Sequence, residues 1–208
     1  MSNPSRGRIL GRISTALQQK SPPMSPQARP IFAPVGDLKE RFEVECKNNL
    51  TECLFTRNAG ETQAHLLAIL ASLDPGIVFA EDMPFLRDRL PYAPHTLQWS
   101  SEGAAPESAQ ATITRVKALV AATGSLLVTS SCGGRRGTIV APVHIVLANE
   151  SQLVPDIESA LALAEAKGMT TKNSYVGLIT GCSRTADIEK LLVIGAHGPK
   201  RLVVLVES

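Results

Sequence analysis

The sequence predicts an α/β domain built on a mainly parallel sheet with helices on both faces. Three observations carry this prediction. From residue 37 onward, short apolar runs alternate with amphipathic stretches of helical period. Several of those runs, Leu202-Val203-Val204-Leu205-Val206 above all, are apolar without interruption, as a strand buried from both sides requires. The 208 residues, 44% hydrophobic and 19% charged, suffice for one well-cored domain plus a tail.

The tail comes first. Residues 5–18 place Ile9, Leu10, Ile13, Ala16 and Leu17 at helical spacing, with Arg6, Arg8 and Arg12 elsewhere around the helix. Five prolines between Pro22 and Pro34 then predict an extended linker. The expected organisation is therefore a helix and linker over 1–34 and an α/β domain over 35–208.

Within the domain, 37–49 reads as a helix, 53–57 as a strand and 61–73 as a helix. Residues 76–80 read as a strand, 82–89 as a helix capped by Asp82 ahead of Pro84, and 96–99 as a strand. Residues 103–108 are a polar loop. The stretch 111–145 is mostly β, with strands at 120–122, 125–129 and 143–148. A helix at 154–167 ends at Gly168. The close is expected to run strand 175–180, helix 186–194, strand 202–206.

Composition excludes several classes. A formal charge of +2 is too small to point to nucleic acid or an anionic membrane, and no apolar run nears the roughly 20 residues that membrane insertion needs. The arginine-bearing N-terminus has no apolar stretch after it, unlike a secretory signal. Cys46, Cys53, Cys132 and Cys182 show no C-x-x-C spacing, so neither a metal site nor a cofactor is expected, and free thiols fit a cytoplasmic protein.

Chemistry concentrates in two places. Ser183-Arg184-Thr185-Ala186-Asp187 follows a buried strand and is expected to open a helix whose apolar face is Ile188, Leu191 and Leu192. A helix start offers free N–H groups and a positive dipole end, and Arg184 would add a two-pronged counter-charge for a carboxylate or phosphate. The same residues, with Asp187 and Glu189, also cap a helix with no ligand at all. The second place is Thr123-Gly124-Ser125 together with Gly133-Gly134-Arg135-Arg136-Gly137, which reads either as a hairpin tip with solvated arginines or as an anion clamp using Arg136. Cys132 and Cys182 lie in polar turns open to reaction. His144 and His197 are candidates for proton transfer, although two separated histidines without acids do not make a metal site.

Beyond these features, Gly181, Ser183-Arg184-Thr185-Ala186-Asp187-Ile188-Glu189, Gly195 and His197-Gly198-Pro199 resemble the signature of the LUD domain family, lactate utilisation protein C type. Ile113-Thr114, Thr123-Gly124-Ser125, Arg136, Pro142, His144-Ile145 and the opening helix extend the resemblance. It implies a fold like the CoA-transferase and ribose-phosphate-isomerase group. It also implies a part in oxidising L-lactate to pyruvate beside subunits that carry iron–sulfur clusters. Two departures stand out: Ala122 occupies a position that is usually glutamate in the family, and Lys117 stands where an acid is common.

The expected function is thus an accessory, non-redox subunit that binds a small carboxylate or other anion. Its contacts would be Ser183, Arg184, Thr185, Thr123, Gly124, Ser125 and Arg136. The alternative is a free-standing enzyme acting on a phosphorylated or CoA-linked substrate, for which Glu102, Asp187 and Glu189 are the available acids. A third possibility makes residues 5–18 the docking helix of a structural partner.

Overall fold

The computed structural model describes residues 4–18, 34–90, 95–103, 105–188, 191–194 and 198–208. The chain divides into two units, Met1–Ala33 and Pro34–Ser208. The first holds helix α1 (Pro4–Gln18), whose Ile9, Leu10, Ile13 and Leu17 are all exposed.

The second unit is built on a six-stranded parallel sheet. Its strands are β1 (Thr51–Thr56), β2 (Ile77–Ala80), β3 (Thr96–Trp99), β4 (Ala111–Arg115), β7 (Val143–Asn149) and β12 (Arg201–Glu207). Their spatial order is β1-β12-β7-β4-β2-β3. The last strand of the chain is thereby inserted between the first strand and β7, pairing Leu202 with both Thr51 and His144.

Alternate residues of β12 feed two cores, as the twofold period of a strand demands. Val203 and Leu205 join Ile113 and Ile145 on one face, beneath α3 (Ala59–Ala71) and α4 (Pro84–Arg89), which contribute Leu66, Ile69, Leu70 and Leu86. Leu202, Val204 and Val206 point the other way, to Phe42 and Cys46 of α2 (Leu38–Asn48).

That second face carries more than a helix. Strands β5 (Ala118–Val120), β6 (Ser125–Thr129), β8 (Leu153–Val154) and β9 (Val176–Thr180) form a four-stranded sheet in the order β8-β5-β6-β9. Leu119, Leu126 and Val128 pack inward beside Phe42. Ala118, Val120 and Leu127 pack outward on Ala160 and Ala164 of α6 (Ile157–Ala166) and on Met169 of α7 (Met169–Lys172). Helices flank the parallel sheet as expected, and a small sheet has been slipped between it and α6.

Three local expectations are corrected. Asp82 does not cap α4: the cap position is Met83, and Asp82 instead binds Arg87 at 2.7 and 3.0 Å, which holds its carboxyl down to about 2. Gly133–Gly137 is no hairpin tip. Gly133 turns with a positive φ into the short helix α5 (Gly134–Gly137), which leads from β6 in one sheet to β7 in the other. Residues 186–194 do not form a helix either. Arg184–Ile188 is β10 and Leu191–Ile194 is β11, an antiparallel pair that sets Arg184 opposite Ile194 and Thr185 opposite Val193. The i, i+3, i+4 spacing of Ile188, Leu191 and Leu192 fits a helix, but the β-branched Thr185, Ile188, Val193 and Ile194 favour extended backbone, and over so short a run periodicity does not decide.

Two glycines are held where only glycine fits. Gly124 (φ +63°) and Gly181 (φ +76°) both lie against the end of α2. A Cβ on Gly124 would sit 2.8 Å from the Glu45 carbonyl carbon, and one on Gly181 would strike the Asn49 carbonyl oxygen. Gly134 has a similar φ, +81°, but open space around it. Gly134→Ala is therefore expected to cost only the backbone term of about 1–2 kcal/mol, while Gly124→Ala and Gly181→Ala cost clearly more. Urea unfolding checks this, and equal losses at all three positions would contradict the packing described.

Candidate functional site

The pairing of β6 with β9 sets Ser125 opposite Thr180, which brings together the turn before β6 and the turn after β9. Thr123, Ser125 and Thr180 then form a hydroxyl chain, with oxygens 2.7 Å apart at each step. Beside it stands Asn49, the residue that caps the C-terminal end of α2. Its side-chain Nδ2 donates to the carbonyls of Thr123 and Glu45, both at 2.9 Å, and its Oδ1 accepts from Arg184 Nη2 at 3.3 Å. One amide therefore ties Arg184 to the Thr123 turn. Leu50, the next residue, has φ +58°, the one left-handed non-glycine conformation among the described residues. It costs on the order of 1–3 kcal/mol, and such strain gathers at functional sites.

This gathering unites Thr123, Gly124, Ser125 and Arg184, but not by way of a helix start. Ser183 donates its N–H to the Pro199 carbonyl at 2.8 Å, so that donor is already used. The helix end that faces the cluster is the carbonyl end of α2, where the dipole is negative and favours the Arg184 guanidinium. The polarity is opposite to that expected from the sequence. Thr185 lies on β10, paired through its backbone with Val193.

Arg136 does not join the cluster as a second clamp. It stands on α5 and forms an ion pair with Glu107. His144 is completely buried in β7, with Nε2 2.8 Å from Thr114 Oγ1 and no partner for Nδ1 among the described residues. His197 and Glu189 lie outside the described residues. Glu102 is paired with Arg87 at 3.1 Å. Cys132 and Cys182 are buried, which removes the exposure that a reactive thiol needs.

Sequence reading missed Asn49 and the Glu81–Arg115 pair. Glu81 follows β2 and Arg115 ends β4, both at the carboxyl edge of the parallel sheet. The Glu81 carboxylate, only 4% exposed, accepts from the Arg115 N–H at 2.8 Å and from its guanidinium at 2.6 and 3.0 Å. Next to it is a mainly apolar hollow of about 320 Å³, lined among others by Met83, Phe85, Leu147, Asn149 and Glu207. The available signal was positional, since ligands of open α/β sheets collect at the carboxyl ends of strands.

An open parallel sheet flanked by helices, with polar turns and a hollow at its strand ends, defines an α/β domain. Comparison with known proteins gives a family likeness. Residues 104–206 match the LUD domain. Lactate utilization protein C of Bacillus subtilis (strain 168) is 32% identical over 106 residues, 49% of this chain and 44% of that protein. Lactate utilization protein C of Geobacillus sp. (strain WCH70) is 27% identical over 189 residues, 82% of this chain and 78% of that protein. An uncharacterized protein of Neisseria meningitidis is 41% identical over 90 residues, 41% of this chain and 37% of that protein. The chain thus matches less than half the length of the Neisseria and Bacillus proteins. A crystal structure of a DUF162 family protein from Deinococcus radiodurans superposes with a TM-score of 0.61, covering 82% of this chain and 96% of that one. At 18% identity that likeness is one of fold.

Burial makes a pH prediction for His144. It pushes the imidazole down from 6.5 to about 4, so the folded protein holds it neutral. Between those values the unfolded chain binds the extra proton, so stability is full above 6.5 and falls as pH drops toward 4. The loss amounts to about 3 kcal/mol. Urea unfolding at pH 7 and pH 4 should show a markedly smaller difference for His144→Leu than for the parent, and an unchanged difference would mean that another group is responsible.

Proposed function

We propose that this chain is an accessory, non-redox component of L-lactate utilisation, working beside iron–sulfur subunits that oxidise lactate to pyruvate, and that it binds a small carboxylate. The first part is supported by the relatives named lactate utilization protein C, one of which matches over 82% of this chain. It is also supported by the LUD match across the last half of the sequence.

The carboxylate seat rests on one observation: the side-chain amide of Asn49 accepts from Arg184 and donates to the backbone carbonyl of Thr123, the residue whose hydroxyl starts the Thr123–Ser125–Thr180 chain. Three hydroxyls share two hydrogen bonds, so one O–H is left over for a guest. Arg184 has further N–H groups beyond the one given to Asn49, and no carboxylate of the described residues pairs with it. The carbonyl end of α2 opposes an anion by about 0.3–1 kcal/mol. A charge-assisted hydrogen bond from a guanidinium contributes about 1.5–3 kcal/mol, so the attraction wins. The strained Leu50 at the same spot fits a site that the fold holds at some cost to itself.

Arg184 is exposed, so Arg184→Ala should leave thermal stability unchanged. It should weaken L-lactate or pyruvate binding roughly tenfold, and slow growth on L-lactate. Binding and growth equal to the parent would remove the carboxylate seat. Tagged chain recovered from lactate-grown cells should bring iron–sulfur proteins with it; their consistent absence would remove the subunit role.

A further inference from the structure

At the carboxyl end of β4 the chain leaves the parallel sheet at Arg115 and passes through Val116 and Lys117 into β5 of the small sheet. A cavity of about 580 Å³ opens at this crossing. Arg115, Lys117, Lys167 and Lys172 line it, with Ser131 and Asn173 between them, and its described lining holds no Asp or Glu. Arg115 already has Glu81 as its counter-ion. No carboxylate of the described residues is paired with the three lysines.

The walls are built rather than incidental. Gly168, with φ +61°, reverses the chain between α6 and α7 and sets Lys167 and Lys172 on one lip, where Lys172 Nζ donates to the Lys167 carbonyl at 3.3 Å. Asn173 fastens that lip to the loop after β6. Its Oδ1 accepts from the Ser131 N–H at 3.2 Å and its Nδ2 donates to the Met169 carbonyl at 3.0 Å. Gln152 secures the opposite side by donating to the Val116 carbonyl at 2.8 Å. Leu163 and Met169 add an apolar patch.

A cleft lined by one sign of charge focuses potential on an oppositely charged guest. Its volume falls in the range of about 300–1,000 Å³ typical of sites for whole cofactor-sized molecules. A three-carbon monoanion such as lactate matches neither the size nor the charge. We propose that this cavity binds a phosphate ester of an organic group. The phosphate lies among Lys117, Lys167 and Lys172, and the carbon portion lies against Leu163 and Met169. The site shares no residue with the Asn49 cluster and does not depend on the lactate reading.

Calorimetric titration of the full chain with ADP, inorganic phosphate and L-lactate tests this. ADP should bind, with an affinity that falls as salt is raised. Lys117→Gln combined with Lys172→Gln should weaken ADP binding roughly tenfold or more, with the melting temperature unchanged, whereas Arg184→Ala should leave ADP binding intact. No ADP binding, or binding indifferent to the double variant, overturns the proposal. Inorganic phosphate binding as tightly as ADP overturns its organic part, and L-lactate binding that is lost in the double variant overturns its choice of phosphate. Loss of lactate growth in Arg184→Ala with ADP binding retained separates the fate of the two sites.

Discussion

The domain depends on burying β12 completely. Leu202 to Val206 are each at most 1% exposed, lie between β1 and β7, and send side chains into the cores on both faces of the sheet. At about 1.5–3 kcal/mol for a fully buried aliphatic side chain, five such residues contribute on the order of 10 kcal/mol gross, comparable with the whole net stability of a domain. Because β12 follows the other five strands of its sheet in sequence, the sheet cannot close until residues 201–207 have been made. The approach to it is equally constrained: Lys200 and Arg201 donate to the Pro142 carbonyl, and Pro199 accepts from Ser183. The start of β7, the Ser183 segment and the C-terminal strand are thus tied together at one end of the sheet.

The second constraint is the inserted four-stranded sheet. A helix alone could cover the lower face of the parallel sheet. Here β5 and β6 share that task with α2 and in turn present an outer face to α6. The insertion places polar turns against the end of α2, because β6 and β9 run antiparallel and their turns meet there. Gly124 and Gly181 permit the approach, since any Cβ would collide with the α2 backbone. The electrostatic character of the cluster follows: it faces the carbonyl end of α2, while the Asn49 side chain holds Arg184, so the guanidinium and not the dipole would attract the proposed anion.

Positive charge is also distributed with some order elsewhere. Arg115 sits where the chain changes sheets, with the buried Glu81 on one side and a lysine-lined cavity on the other. Glu81 accepts two hydrogen bonds from the guanidinium and a third from the Arg115 backbone N–H, and leaves the neighbouring lysines without counter-charge. The Lys117 that departs from the family pattern in sequence is one of the residues lining that cavity.

Sequence alone determined the fold class and the placement of most elements. The unbroken run Leu202–Val206, the capped helix ending at Gly168 and the helical period of residues 38–48 all express local preferences that packing reinforces. It also singled out the Thr123–Ser125 turn and Arg184, because hydroxyls, glycine and arginine next to strands are chemically legible. Tertiary structure decided the rest. Residues 184–194 carry patterns compatible with helix or strand, and only pairing between Arg184–Ile188 and Leu191–Ile194 selects the strand. Asn49 acquires its role from partners at Thr123 and Arg184, and Arg136 loses its role to Glu107. Hydrogen bonds and ion pairs join residues far apart in the chain, and no local pattern records which of them the fold will bring within reach.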